Sequence, residues 1–201
     1  MSRPALDVSA LPTIVYGPRA TLWWGILGLI AIEGTALAIT GVAYLYLRQN
    51  FVAWPPEGTP LPALGAATAE LAVLVASVIP MAAVDWLARR AQRRLVAIGL
   101  GVMVVIGLVS LGLRALQFAG ALGCRWDTNA YGSIVWLLLG MHAAHVLAST
   151  FENALLMVVL LFRPVERKDF VDAHANAFYW YFIAGIWVPV YALVYLAPRW
   201  L

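Results

Sequence analysis

A chain of 201 residues in which 63% are hydrophobic and 11% charged is too apolar for a soluble domain, where about half apolar and a quarter charged is usual. Its mean hydropathy of +0.85 belongs in a lipid bilayer. One cysteine, Cys124, and a formal charge of +3 exclude an intrachain disulfide framework and a Cys-rich metal site; no basic aromatic patch points to nucleic acid.

Residues 1–21 read as a polar, cytoplasmic N-terminal segment. "MSRPALDVSALPTIVYGPRA" holds three prolines and lacks the apolar core of a cleavable signal peptide. Residues 22–201 read as one all-α integral membrane domain. Its five apolar segments are Leu22–Leu47, Leu61–Leu87, Leu95–Leu122, Tyr131–Phe162 and Ala175–Ala197, each long enough for the roughly 20 residues a spanning helix needs. In the first, the small residues Gly25, Gly28, Gly34, Ala38 and Gly41 predict close helix contact. "RQNFVAWPPEGTP" then makes a rigid turn, because Pro55, Pro56 and Pro60 cannot continue a helix. "ARRAQRR" reads as a tight basic turn between the second and third spans, suited also to anionic lipid. "GALGCRWDTNAYG" and "RPVERKDFVDAH" read as loops before the fourth and fifth. Pro80 and Pro189 predict kinks.

The basic residues predict orientation. With the N-terminus in the cytoplasm, Arg3, Arg19, Arg89, Arg90, Arg93, Arg94, Arg163, Arg167 and Lys168 lie inside, Arg48, Arg125 and Arg199 outside, and Arg114 within a span. Nine against three gives a cytoplasmic N-terminus and a periplasmic C-terminus.

Six ionisable residues fall inside the spans: Glu33, Glu70, Arg114, His142, His145 and Glu152. A charge near the bilayer centre costs about 2.5–3.5 kcal/mol on insertion scales, so such groups face protein or water. At about 100° per residue, His142, His145, Ser149 and Glu152 share one helix face about 80° wide. A metal site would want convergent ligands from facing helices, and a second imidazole at matching depth is lacking. A bis-His haem needs ligands on opposite faces of the porphyrin, which two histidines one turn apart do not offer. The residues read as a polar network that packs helices, with a proton-handling role open for Glu33.

"YGSIVWLLLGMHAAHVLAS" resembles the Tyr-Gly-Ser…Gly-x-His-x-x-His-Val stretch of subunit III of the haem-copper oxidases. "WWGILGLIAIEGTALAITGVAYLYLR" is similar to that subunit's Trp-Gly…Glu…Tyr-x-x-x-Arg helix, and "WPPEGTPLP" to the Trp-Pro-Pro-x-Gly loop after it. "LGLRALQ" and "FYWYFIAGIWVPVYALVYL" resemble its later helices, so the likeness runs in order from Trp23 to Tyr195. It implies that Glu33 occupies the place of the family's buried, carbodiimide-reactive glutamate. The usual member has seven spans; the five here resemble the form in bacterial quinol oxidases and in accessory homologues of nitric oxide reductase. Tyr181 and Ala184 stand where the family has histidine and aspartate, so no role of those groups carries over.

The resemblance implies an accessory subunit without haem or copper, those cofactors lying in partner subunits, with bound phospholipid compatible with the fold. Its partners would be the catalytic subunit I, subunit II and membrane lipid. Its place would be the bacterial inner membrane, and its role to stabilise the catalytic subunit and support proton uptake and oxygen access. The rival readings are an accessory subunit of nitric oxide reductase or of a quinol oxidase, and a stand-alone transporter or quinone-binding anchor. A transporter would predict inverted repeats or broken helices, which the sequence lacks.

Overall fold

The computed structural model describes residues 17–164 and 166–200. Most of the expected segment 1–21, with Arg3, lies outside them. After a 3₁₀ turn at Gly17–Arg19 come α1 (Thr21–Gln49), α2 (Leu64–Arg89), α3 (Arg93–Leu116), α4 (Ala130–Phe162) and α5 (Arg167–Tyr191). A π turn, Gln117–Ala121, extends α3; another, Ala192–Leu196, joins α5 to the short α6 (Ala197–Trp200). The chain is an all-α membrane bundle with 5 helices long and apolar enough to cross a bilayer.

α3 lies between α2 and α4, and α5 closes the bundle against both α2 and α4. α1 rests mainly on α4 and α5, and buries only Leu37, Thr40 and Tyr44. Its outer face, with Ile32, Ile39, Val42 and Tyr46 exposed, is apolar, as a lipid-facing helix must be. The core is filled by Trp180, Trp187, Leu74, Met81, Leu100 and Met103. In the α1–α2 connection Trp54 meets Tyr44 and Tyr131 edge-on, ring centres 5.3 and 5.0 Å apart, which pins the proline-rich loop to the start of α4.

Caps explain several boundaries. Asn129 accepts the Gly132 amide at 2.8 Å and donates to Thr59 Oγ1 at 2.9 Å, so the start of α4 is satisfied and tied to the first loop. At the other end of α4, Arg93 Nε donates to the Leu160 carbonyl at 2.6 Å and Nη2 to that of Leu161 at 3.1 Å. A cation there satisfies orphan carbonyls and the negative end of the helix dipole.

Two expectations need correction. The fifth helix begins at Arg167, not near Ala175, because Glu166 and Asp169 form a capping box in which Asp169 Oδ2 accepts the Glu166 amide at 2.8 Å. The carboxylates that read as loop are a helix start. Gly25 and Gly28 do not mark a close contact: a Cβ there would meet nothing within 4 Å. Close approach occurs instead at Gly107, where a Cβ would collide with Thr150 of α4. α2 and α5 both run on through Pro80 and Pro189.

Candidate functional site: two polar clusters within the bundle

Glu70 of α2, Arg114 of α3 and His142 of α4 meet inside the bundle, toward the end where α2 begins and α3 finishes, at 1%, 2% and 0% exposure. Arg114 Nη2 lies 2.9 Å from Glu70 Oε1. The same carboxylate accepts Ser110 Oγ at 3.0 Å and Gln117 Nε2 at 2.6 Å. Gln117 Oε1 in turn accepts Arg114 Nη1 at 3.2 Å and Tyr195 OH at 2.5 Å. The guanidinium carbon also sits 4.0 Å over the Trp187 ring, a cation–π contact that is strongest when desolvated. A carboxylate with three donors and a cation of equal charge is what makes a buried ion pair tolerable.

His142 is fixed by what its neighbours can do. A guanidinium only donates, so His142 Nδ1 accepts from Arg114 Nη2 at 3.1 Å. Nε2 then carries the proton and donates to the Ile183 carbonyl at 3.1 Å. The ring is a neutral imidazole, stacked on Trp187 with centres 4.8 Å apart. Both nitrogens are engaged, so neither has a free lone pair for a metal or haem iron. Among the described residues no three His, Cys, Asp or Glu side chains group to hold a metal ion.

The second cluster lies between α1, α4 and α5. Tyr179 OH donates to Glu33 Oε2 at 2.7 Å, and His145 Nε2 lies 3.5 Å from the same oxygen. His145 Nδ1 is 2.5 Å from the Met141 carbonyl. The helix face read from sequence is therefore divided: His142 turns inward to Arg114, His145 turns to α1. Glu152 bonds to neither histidine and stands instead within electrostatic range of Asp172 on α5. Ser149, further along the face, joins Asn176 and Asn153: Asn176 Nδ2 donates to Asn153 Oδ1 at 2.9 Å.

A third set sits where α2 ends and α5 begins. His174 Nδ1 is 2.5 Å from Asp85 Oδ1, and Arg89 reaches the other carboxylate oxygen at 3.3 Å. Sequence reading missed Asp85, Gln117, Tyr179 and Tyr195. Their signal was weak: Asp85 near a basic helix end reads as solvated, and a Tyr near a span end reads as an interfacial anchor. An apolar groove of about 200 Å³ runs between α1, α4 and α5, lined by Leu37, Gly41, Leu138, Ile186 and Leu193 among others.

The sequence profile of the family described as cytochrome c oxidase subunit III matches residues 48–199. This chain belongs to that family. Similar proteins include the cytochrome c oxidase subunit 3 of Synechocystis sp., 27% identical over 184 residues, spanning 89% of this chain and 76% of that one. That of Latimeria chalumnae is 30% identical over 148 residues, 71% of this chain and 54% of the other, so the chain spans about half of that relative's length. A probable quinol oxidase subunit 3 of Staphylococcus saprophyticus is 24% identical over 110 residues, 54% of this chain and 55% of that one. The first cluster, Glu70 to Tyr195, lies wholly inside the matched stretch, whereas Glu33 lies before it. As a subunit III of a haem-copper oxidase, the chain is a multi-pass membrane protein that associates with other oxidase subunits.

Proposed function

We propose that the chain is the accessory subunit of a bacterial aerobic terminal oxidase of the cytochrome c type, seated in the inner membrane against the catalytic subunit I and near subunit II. The observation that carries this reading is the use of the buried charges. Glu70, Arg114 and His142 direct their polar atoms at one another and at neighbouring helices, as a scaffold requires, and not at a redox ligand. Haem and copper then belong to partner subunits. The chain's own contribution is to hold the catalytic subunit in its working shape, to support proton uptake through Glu33, and to seat a phospholipid acyl chain in the groove beside Leu138.

Cytochrome c as donor is supported by the relatives named cytochrome c oxidase subunit 3. The similarity to a probable quinol oxidase subunit 3 favours a second reading with quinol as donor; in either case the donor site lies on another subunit. The N-terminus lies in the cytoplasm and the C-terminus in the periplasm, on the distribution of Arg and Lys.

The test compares the oxidase with and without this chain during sustained turnover. The complex lacking it should start at a near-normal rate and inactivate several-fold faster. Equal lifetimes would contradict a stabilising role.

A further inference from the structure

We infer that Glu33 and His145 hold one proton between them and bind or release it as a unit. This rests on the reading of Glu33 as a proton-linked carboxyl and adds its partner. The Met141 carbonyl can only accept, so the 2.5 Å contact keeps a proton on His145 Nδ1. In the neutral ring Nε2 is then a bare lone pair, and it faces Glu33 Oε2 at 3.5 Å. Tyr179 donates to that same oxygen at 2.7 Å, fixing which oxygen takes part.

The proton count follows from charge. With no proton between them, an imidazole lone pair faces a carboxylate and the pair carries one negative charge. With two, a carboxylic acid faces an imidazolium and the pair carries one positive charge. With one, the contact is attractive, whether drawn as acid and imidazole or as carboxylate and imidazolium, and the pair is neutral. Partly buried side chains, 16% and 19% exposed, near the middle of α1 and α4 favour the neutral state, because net charge is costly there.

Among the described residues, the neighbouring polar groups are a donor or are engaged elsewhere. From α5 comes Tyr179, a donor. On α4, His142 is committed to Arg114 and Ile183, and Glu152 stands beyond, within electrostatic range of Tyr179 and of Asp172.

Two measurements on the assembled complex test this. The first reads dicyclohexylcarbodiimide modification of Glu33 by mass spectrometry across pH, in wild type and His145→Gln. The reagent takes the carboxyl proton on its nitrogen and the carboxylate oxygen then bonds to its carbon, so the rate follows the protonated acid. Replacing His145 should move the midpoint by about one pH unit or more, roughly tenfold in rate at fixed pH. Superimposable profiles would overturn the sharing. The second, which stands even where His145→Gln fails to assemble, follows the ¹⁵N resonances of His145 in wild type and Glu33→Gln. Nδ1 should stay protonated throughout, and the Nε2 midpoint should differ between the two proteins; identical midpoints would overturn the proposal. Absence of any Glu33 modification at any pH would contradict the proton-linked reading of Glu33, while the Nε2 midpoints still decide the sharing.

Discussion

Arg114 shows at the scale of one residue how a charge persists in an apolar bundle: Glu70 supplies the counter-charge, Gln117 and His142 accept from its Nη groups and Trp187 covers its face. Together these offset most of a cost that includes a buried, unbonded Nε. Glu70→Gln keeps the shape but leaves the guanidinium without a counter-charge. Breaking a buried pair from one side costs about 3–5 kcal/mol, so the variant should accumulate poorly in membranes and lose detergent stability. Glu70→Gln combined with Arg114→Met should recover much of that loss, measured as Tm in a double-mutant cycle. Additive losses would contradict the pairing. Cys124 offers a second check. Burial pushes its thiol up, so less thiolate exists at a given pH, and alkylation should be slower than for an exposed cysteine, with its midpoint moved to higher pH. The sequence made Glu70, Arg114, His142 and Glu33 visible one by one, because ionisable residues in apolar runs are conspicuous. It did not pair them, since each partner lies on another helix and nothing along the chain encodes that meeting.

At the scale of the element, the spans were legible because about 20 apolar residues between turn signals leave little choice. The fifth helix was not, in its first turns: "VERKDF" reads as loop by charge, yet Glu166 and Asp169 are cap residues. Asp169→Ala should cost about 0.5–2 kcal/mol and speed amide exchange in the first turns of α5 alone; unchanged exchange would remove the cap from the account. The small residues of α1 are a mixed case: Gly34 and Gly41 lie against Phe182 and Leu193 while Gly25 and Gly28 face open space, since composition says that helices can approach closely but not where. Gly107, against Thr150, and Gly99, against Val84, are places where they do. Gly107→Val must push Thr150 and so part α3 from α4, lowering Tm by several degrees, whereas Gly25→Ala, with open space around its Cβ, should leave it unchanged.

The whole molecule is a helix bundle that buries an ion pair between α2 and α3 and sets Glu33 of α1 beside His145 of α4. Its family was legible because five motifs occur in order along the chain, and order is preserved even where single residues such as Tyr181 and Ala184 depart. The bundle places His142 and His145 in different clusters, which a shared helix face could not reveal. The orientation proposed from Arg and Lys has its own test: in a background with Cys124 replaced, a cysteine at Ala91 or Gln92 should react only from the cytoplasm, and one at Gly58 only from outside. The central claim, that this chain is a subunit without redox centres of its own in an oxidase, is tested most directly by gentle affinity purification of the tagged chain, reading both subunit composition and visible spectrum. The account predicts a haem-copper catalytic subunit in equal amount, with every haem band remaining with that partner when the chain is stripped away. A chain that purifies alone, or that keeps one haem after stripping, would contradict it.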